Sequence, residues 1–289
     1  MWSKNVETFL CCDAAYEEAE IVLYGAPFDG TTSYRPGTRF GPAAIRHESY
    51  GLESYSLYSD RDLADGSVFD GGDLELPFGN TERVLAEIET REEEILRDGK
   101  LPFLLGGEHL VTLGAVRAAA GRFPDLCIVH FDAHADLREE YLGETLSHAS
   151  VLRRCHDLLG DGRIFQFGIR SGDRSEFLFS RAGHTVLHPF DTEGVTETIA
   201  ALWDRPVYLT VDLDVLDPSV LPGTGTPEAG GISFDELRRA VTAVCQDCCV
   251  IGLDVVELSP PYDASGVSTA VAGKLVRELL LALSNRKKE

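Results

Sequence analysis

Short runs of apolar residues recur along the chain, and most of them end at a glycine, an aspartate or a histidine. Because both faces of each run are apolar, the pattern predicts buried parallel strands rather than strands with one face in solvent. The predicted strands cover residues 21–24, 103–105, 126–131, 164–167, 207–211 and 250–256.

Segments with apolar residues at helical spacing lie between these runs. The clearest covers residues 81–97, where Val84, Leu85 and Ile88 stand among charged residues and Thr81 is the expected N-cap. Further helices are predicted over residues 110–120, 148–159, 233–244 and 268–284. This alternation predicts a doubly wound α/β fold with a mostly parallel sheet, helices on both faces and the chemistry at the carboxyl ends of the strands.

No repeat, low-complexity tract or linker interrupts the pattern, so residues 1–289 are expected to form a single domain. The chain has 26 Lys and Arg against 48 Asp and Glu, a net charge of −22. Such a charge repels nucleic acid and anionic membranes, and it attracts cationic ligands and metal ions. With 44% hydrophobic and 26% charged residues, the composition is that of a globular protein.

The sequence also predicts a cytoplasmic protein. No apolar run approaches the ~20 residues that span a bilayer, and the first ten residues lack the features of a secretory signal. The seven cysteines are an odd number, which favours reduced thiols over a disulfide framework. Cys245, Cys248 and Cys249 form a lone CxxC segment, which indicates thiols at a junction of helix and strand rather than a zinc site.

Ligand-type side chains follow three of the predicted strands. Asp132, His134 and Asp136 alternate directly after the strand at 126–131, so an extended backbone would project all three to one side. Asp212 and Asp214 are placed in the same way after the strand at 207–211. Two carboxylates so close together repel each other unless a cation lies between them, so the pattern indicates a metal site.

A third strand ends at Leu105 and runs into Gly106 and Gly107, which let the backbone turn tightly and present His109. The three strand ends together supply four aspartates and two histidines. This mixture favours Mn(II) over Zn(II), whose structural sites prefer thiolates, and over Mg(II), which keeps mostly oxygen ligands. Six ligands suffice for two ions if aspartates bridge, and such a pair lowers the pKa of a shared water from 15.7 toward about 7. The sequence therefore predicts metal-assisted hydrolysis.

These residues resemble the ureohydrolase family, which contains arginases and agmatinases, and the likeness is greatest to the agmatinases. Three metal motifs of that family are matched in order by residues 106–109 (GGEH), 132–136 (DAHAD) and 212–214 (DLD). Further matching segments are residues 25–30 (GAPFDG), 35–46 (RPGTRFGPAAIR), 222–228 (PGTGTPE) and 254–257 (DVVE). The resemblance covers nearly the whole chain and implies an arginase-like α/β fold.

The resemblance also implies two Mn(II) ions per subunit, with some aspartates shared between them. One ion would be bound by His109, Asp132, Asp136 and Asp212, and the other by Asp132, His134, Asp212 and Asp214. Asp132 and Asp212 would then bridge the two ions. The family commonly forms trimers or hexamers, so the resemblance further implies a homo-oligomer.

Catalytic and substrate-binding residues are implied in the same way. Glu257 corresponds to the glutamate that pairs with the substrate guanidinium, and a carboxylate suits a planar cation. His148 corresponds to a histidine that shuttles protons, together with Asp136, and imidazole suits that task at neutral pH. His148 and Thr226, the latter in the 222–228 segment, are also implied to contact the substrate.

The segment after Asp136 bears on which guanidino compound is cleaved. Arginases generally carry an Asn there that holds the amino-acid end of arginine, whereas this chain has Leu137 and Arg138, followed by Glu139 and Glu140. The acidic residues and the net charge favour agmatine, a dication, which would give putrescine and urea. Arg138 could instead hold a carboxylate, so 4-guanidinobutyrate, guanidinopropionate and arginine stay alternatives.

Two other functions also stay open at this point. A cysteine-dependent amidinohydrolase would use a thiolate, for example Cys155 beside His156, and no metal. A metal-binding relative without turnover would need neither the glutamate nor the proton-shuttling histidine. Two departures from the family pattern, Leu110 and Ala135, leave every ligand in place but could alter the metal affinity through the groups around the ligands.

Overall fold

The computed structural model describes residues 7–284, and its centre is a sheet of eight parallel strands. In chain order the strands are β1 (Ile21–Ala26), β2 (Tyr55–Ser56), β3 (Arg61–Asp62), β4 (Val68–Asp73), β5 (Leu101–Gly106), β6 (Cys127–Phe131), β7 (Ile164–Ile169), β8 (Val186–Pro189), β9 (Pro206–Asp212) and β10 (Cys249–Val256). Strands β2 and β3 form a short antiparallel pair. The other eight are ordered β4-β1-β5-β10-β9-β6-β7-β8.

Helices cover both faces of the sheet. They are α1 (Gly41–Ser49), α2 (Thr81–Arg97), α3 (Val111–Arg122), α4 (Val151–Leu159), α5 (Arg174–Arg181), α6 (Val195–Ala201), α7 (Phe234–Asp247) and α8 (Val267–Leu283). One apolar core joins the sheet to α1, α7 and α8, and a second joins it to α2, α3 and α4. The predicted doubly wound α/β fold is confirmed. In the described part of the chain, no helix is long and apolar enough to cross a membrane.

All six predicted strands are present, but the sequence did not reveal β4 and β8, nor the helices α1, α5 and α6. Strand β4 reads VFDGGD and therefore lacks a continuous apolar run. Its Asp70 is nevertheless fully buried, because Arg46 Nε donates a hydrogen bond to Asp70 Oδ2 at 2.8 Å. Strand β8 has only four residues at the edge of the sheet, too short and too exposed to give a pattern.

Two predicted helix starts differ from the structure. The N-cap of α2 is Asn80, whose side chain accepts a hydrogen bond from the backbone N–H of Arg83 at 3.0 Å, and Thr81 is the first residue inside the helix. The predicted helix over residues 148–159 is divided into a single 3₁₀ turn at His148–Ser150 and then α4. The 3₁₀ turn matters because it sets the direction of the His148 side chain.

The topology explains why distant residues meet. Strands β5, β10, β9 and β6 are neighbours at the centre of the sheet, and all four run in the same direction. The loops that follow them therefore begin side by side at one edge. In open α/β sheets this carboxyl edge is where ligands bind.

Candidate metal centre and active site

The loop after β6 carries three of the predicted ligands. Strand β6 ends at Phe131, and the backbone bends at Ala133 before His134 pairs with Ser171 in an isolated parallel bridge. Asp136 has a left-handed backbone conformation with φ of 52°. The three side chains are therefore not aimed by the simple alternation of one extended strand.

Three of the predicted ligands surround an imidazole nitrogen of a fourth, His109. His109 Nδ1 lies 3.1 Å from Asp132 Oδ2, 3.3 Å from Asp136 Oδ2 and 3.3 Å from Asp212 Oδ2. Two donors that each lie about 2.1 Å from one ion, at right angles, are about 3 Å apart, so this spacing suits a single bound cation. These are the four residues that the family resemblance assigns to one ion.

A second group lies beside the first. His134 Nδ1 is 3.0 Å from Asp214 Oδ2 and 3.5 Å from Asp132 Oδ1. Asp132 thus offers one oxygen to each group, as a bridging ligand must. Asp212 is tied to the second group through its Oδ1, which accepts a hydrogen bond from the backbone N–H of Asp214 at 2.8 Å. Thr226, another predicted residue, donates a hydrogen bond from Oγ1 to Asp214 Oδ2 at 3.2 Å. The structure therefore brings all six predicted ligands together.

Hydrogen bonds on the far side of the His109 ring determine which ring nitrogen carries the proton and which one directs its lone pair at the carboxylates. The hydroxyl of Thr210 donates to Asp254 Oδ1 at 2.6 Å, so it is an acceptor toward His109 Nε2, 2.9 Å away. His109 therefore carries its ring proton on Nε2 when neutral. Its Nδ1 is buried, lacks a hydrogen-bond partner and points at three carboxylates. A lone pair in that position calls for a cation.

The pKa shifts within the cluster also indicate that a cation is needed to balance its negative charge. Burial, reinforced by the charge of Asp132, raises the pKa of Asp136 to about 7, and burial together with Asp214 and Asp132 raises the pKa of Asp212. Burial alone would lower the pKa of His109, but the surrounding carboxylates outweigh it and raise that pKa well above its usual value. Without an ion, the cluster must take up protons to balance its negative charge.

Two buried residues that sequence reasoning missed hold Asp132 in place. His130 Nε2 lies 2.9 Å from Asp132 Oδ2, and Gln166 Nε2 donates to His130 Nδ1 at 3.1 Å. The proton of neutral His130 therefore lies on Nε2, where it is donated to Asp132. The signal in the sequence was the same two-residue alternation that identified Asp132, since His130 precedes it by two positions inside an apolar strand.

Glu108 is a further residue that the sequence did not single out. It is fully buried, and its carboxylate accepts from the backbone N–H of Thr31 at 2.9 Å and from the hydroxyls of Thr31 and Thr32. The same Thr31 hydroxyl accepts from the backbone N–H of His148 at 3.1 Å, so Glu108 positions the His148 turn through Thr31. Burial raises the pKa of Glu108 to about 7, although the threonine hydrogen bonds lower it.

The Gly106-Gly107 pair acts by close packing and not by an unusual turn. A Cβ on Gly107 would lie 1.9 Å from the backbone oxygen of Phe28, so only glycine fits against that loop. Neither glycine has a positive φ. The close approach brings the residues after β5 against the loop after β1. The sequence had predicted instead that a tight turn at the two glycines presents His109.

Glu257 follows β10 and reaches the ligand cluster from the side. It is buried with φ of 66°, and its Oε1 accepts a hydrogen bond from the backbone N–H of His109 at 2.7 Å. One of its two oxygens thus already accepts a hydrogen bond inside the protein, and Oε2 remains available to a cationic ligand. Burial, and after it the charge of Glu108, raises the pKa of Glu257 well above its usual value, and a cationic ligand would offset that cost.

A cavity of about 230 Å³ opens above these groups. Its wall includes the predicted residues His134, Asp136, His148, Asp212, Thr226 and Glu257, together with Ser33, Ala135, Arg138, Tyr141, Ala149, Ser171, Gly172 and Glu176. Burial lowers the pKa of His148 to about 4, so its imidazole is neutral at physiological pH. Its Nε2 lies 3.3 Å from Ser33 Oγ, and the edge of its ring meets Tyr141 with centroids 5.8 Å apart.

The segment after Asp136 differs from expectation. Glu139 and Glu140 are exposed and do not line the cavity, so they are not placed to contact the far end of a substrate inside it. Arg138 does line it, but its guanidinium pairs with Asp173, and its Nε lies 3.7 Å from Glu176 Oε2. Its charge is already balanced by two carboxylates.

A family model described as the arginase family matches residues 19–282. The chain belongs to the arginase family. It is 48% identical over 277 residues to an agmatinase of Bacillus anthracis and 47% identical over 277 residues to an agmatinase of Bacillus subtilis, in each case over 95% of this chain and 96% of the relative. The solved agmatine ureohydrolase of Thermoplasma volcanium superposes with a TM-score of 0.88 at 36% identity, covering 96% of this chain and 94% of that one.

Membership of the arginase family sets the class of reaction. The chain is an amidinohydrolase that acts on a guanidino substrate, and enzymes of this family use a binuclear metal centre. The His and Asp groups described above could bind metal, as this class requires.

Arginase-family chemistry needs no thiol, and the structure agrees. Cys155 is fully buried in the core between the sheet and α4, and burial raises its pKa to about 12. A thiolate nucleophile is therefore strongly disfavoured there. The burial of Cys155 therefore argues against the cysteine-dependent alternative built on Cys155 and His156.

Proposed function

We propose that this arginase-family enzyme hydrolyses agmatine to putrescine and urea with two Mn(II) ions per subunit. The observation that carries the proposal is the pair of ligand groups that share Asp132, one around His109 and one around His134. Agmatine as the substrate is supported by the relatives named agmatinase, which match the chain over nearly its full length.

The donor set favours manganese. Four carboxylates and two imidazoles, with no thiolate among them, suit Mn(II) better than a structural zinc. In this proposal His109, Asp132, Asp136 and Asp212 hold one ion, and Asp132, His134, Asp212 and Asp214 hold the other. When bound, the ions supply a water of lowered pKa and positive charge that stabilises charge developing on the substrate.

Glu257 orients the guanidinium. Its Oε1 already accepts a hydrogen bond from the His109 backbone N–H, so its Oε2 receives the substrate N–H in a charge-assisted hydrogen bond. Thr226 and His148 complete the wall around the cation. Because the Glu257 carboxylate is buried, water does not compete for it. The substrate carbon is thereby held against the ligand groups.

Asp136 and His148 move the protons. Asp136 accepts the proton released by the attacking water and passes it on to neutral His148, which then delivers it to the departing amine. His148 suits this task because burial keeps it neutral, so one ring nitrogen is free to take up the proton. Glu108 and Thr31 fix its backbone, which keeps the imidazole aimed into the cavity.

Substrates with a carboxylate at the far end are the second candidate, because Arg138 lies in the cavity wall. The paired state of Arg138 argues against them, since Asp173 and Glu176 would have to release it. Urea release should therefore be compared for agmatine, 4-guanidinobutyrate, guanidinopropionate and arginine at a defined Mn(II) concentration. We expect agmatine to have the highest kcat/KM. Arg138→Gln should leave that value within a few fold, whereas a large fall on a carboxylate substrate would favour the alternative.

Replacement of Glu257 by Gln tests the guanidinium contact. The amide would turn its NH2 group toward either the His109 backbone N–H or the substrate cation, both of which are donors and need an acceptor. We expect kcat/KM for agmatine to fall roughly 10- to 100-fold, from the loss of a charge-assisted hydrogen bond worth about 1.5–3 kcal/mol. Bound manganese, measured by elemental analysis, should stay at the wild-type level. Normal turnover would remove Glu257 from the site.

We further propose that residues 1–289 form one domain, that the enzyme works in the cytoplasm, and that it forms a homo-oligomer, a trimer or a hexamer. Cys11, Cys12, Cys127, Cys155 and Cys249 are free thiols in the structure, which supports a reducing compartment. Light scattering on the purified enzyme would test the assembly, and a mass equal to one chain would contradict it.

A further inference from the structure

A second cluster of ligand-type side chains lies far from the metal centre. His156 is near the end of α4, Asp161 is in the loop between α4 and β7, and His184 is in the loop between α5 and β8. Both loops lead into the amino ends of their strands, so the cluster is at the opposite edge of the sheet from the cavity. One nitrogen of each histidine and one oxygen of Asp161 all lie within 4.8 Å of one another.

Asp161 is the centre of this cluster. Its Oδ1 is 2.8 Å from His156 Nε2 and 2.7 Å from His184 Nδ1. The Asp161 side chain is 65% exposed, whereas those of His156 and His184 are 14% and 36% exposed. The cluster therefore has a protein wall on one side and solvent on the other, which leaves room for an ion with water as its remaining ligands.

The surrounding structure holds the three groups in place before any ligand arrives. Gly160 and Gly162 both have positive φ, 82° and 68°, and fold the loop so that Asp161 turns back toward α4. Phe179 stacks on the His184 ring with centroids 4.2 Å apart and meets the His156 ring edge-on at 4.8 Å. One aromatic side chain thus orients both imidazoles.

The proton arrangement on His156 also points to a metal. If neutral His156 donates Nε2–H to Asp161, its Nδ1 is a bare lone pair that is buried, lacks a hydrogen-bond partner and lies 4.0 Å from Asp157 Oδ1. With the proton on Nδ1 instead, Nε2 would be free to bind a cation, and the negative charge of Asp157, 4.0 Å from Nδ1, would favour that arrangement.

We propose that His156, Asp161 and His184 form a peripheral metal site that takes a late first-row divalent ion, with Zn(II) the representative case. Two imidazoles and one carboxylate suit zinc, nickel or copper, whereas manganese prefers sites richer in oxygen donors. The bound ion would join the end of α4 to the loops before β7 and β8. Nothing in this proposal depends on the substrate or the metal of the catalytic centre.

The test measures zinc bound in excess of that taken up by the catalytic centre. Manganese-loaded enzyme is dialysed against Zn(II), and the metal content of wild type, His184→Gln and Asp161→Asn is determined by elemental analysis. Exchange at the catalytic centre affects all three proteins equally, so the difference between them isolates the peripheral site. We expect wild type to hold one more zinc per chain, and Asp161→Asn to raise the zinc Kd at least about tenfold.

His47→Gln is the matched control, since His47 offers an exposed imidazole beside one carboxylate, Glu7, at 2.9 Å. It should bind zinc like wild type. Diffraction at the zinc absorption edge from crystals of the same material should show a peak between His156, Asp161 and His184. Equal zinc content in wild type and His184→Gln, or a peak at the catalytic centre alone, would overturn the proposal. His184→Gln should keep wild-type agmatine turnover, so a failed peripheral site is distinguishable from a failed function.

Discussion

At the scale of single residues, the meeting of the candidate ligands was predictable from the sequence and the residues that support them were not. Asp132 and His134 stand at strand ends in a short motif, so local spacing reveals them. Gln166, Thr210 and Asp254, by contrast, act through contacts between strands that are far apart in sequence. Asp254, for example, accepts hydrogen bonds from Thr112, Tyr208 and Thr210. No local pattern encodes such a contact, so the sequence alone could not assign these residues a role.

The Thr210 hydroxyl offers a direct test of this supporting layer. Thr210→Val removes the acceptor for His109 Nε2–H, so the tautomer that presents Nδ1 to the metal loses its support. We expect manganese affinity to fall about 10- to 100-fold, as is typical when a group behind a metal-binding histidine is lost. Thr210→Ser keeps the hydroxyl and should bind manganese like wild type. Equal Kd values for the valine and serine variants would show that the hydrogen bond is unimportant.

At the scale of elements, the centre of the sheet was predictable and its margins were not. Strands such as β9 are apolar on both faces because helices cover both, and that leaves a continuous apolar run. At the margin, β4 replaces apolar packing with the buried Arg46–Asp70 pair, and two of the five buried positions of α1 are the polar residues Arg46 and Ser49. Pattern analysis fails there because the burial depends on a charge partner elsewhere in the chain.

The start of α2 gives a test at this scale. The structure assigns the N-cap to Asn80 and not to Thr81, as the sequence had suggested. Asn80→Ala should lower the free energy of unfolding by about 1 kcal/mol, because the N–H of Arg83 loses its acceptor. Thr81→Ala is the matched control and should change it by less than about 0.5 kcal/mol. Urea unfolding measures both changes. A larger loss of stability in Thr81→Ala than in Asn80→Ala would show that Thr81 is the N-cap.

At the scale of the whole molecule, the two edges of the parallel sheet carry different clusters of polar side chains, and an acidic residue is buried against one face of the sheet. The carboxyl edge gathers the ligands of the proposed metal centre, and the amino edge carries the His156–Asp161–His184 cluster. Between the sheet and α2, Glu92 is fully buried and accepts a hydrogen bond from the Tyr24 hydroxyl at 2.5 Å. Burial raises the pKa of Glu92 to about 8 from an ordinary value of 4.5.

Glu92 therefore couples global stability to pH. The folded protein keeps the proton up to about pH 8, whereas the unfolded chain releases it near 4.5, so this contribution is complete at low pH and is lost as the pH rises through that window. Its slope should approach 1.4 kcal/mol per pH unit at most, on the order expected for a single proton. Glu92→Gln, which resembles the protonated acid, should unfold with a flatter pH profile between pH 5 and 8. Identical profiles for both proteins would mean that Glu92 is ionised throughout.

In the proposed function, six side chains from three strand ends bind two divalent ions that the reaction requires. The most direct measurement is urea release from agmatine by enzyme that has been stripped with chelator and then titrated with Mn(II), with bound metal determined in the same samples. We expect no activity in the stripped enzyme and full recovery as the second ion per chain is bound, and Asp132→Asn should impair binding of both ions. Undiminished urea release from fully stripped enzyme would contradict the account.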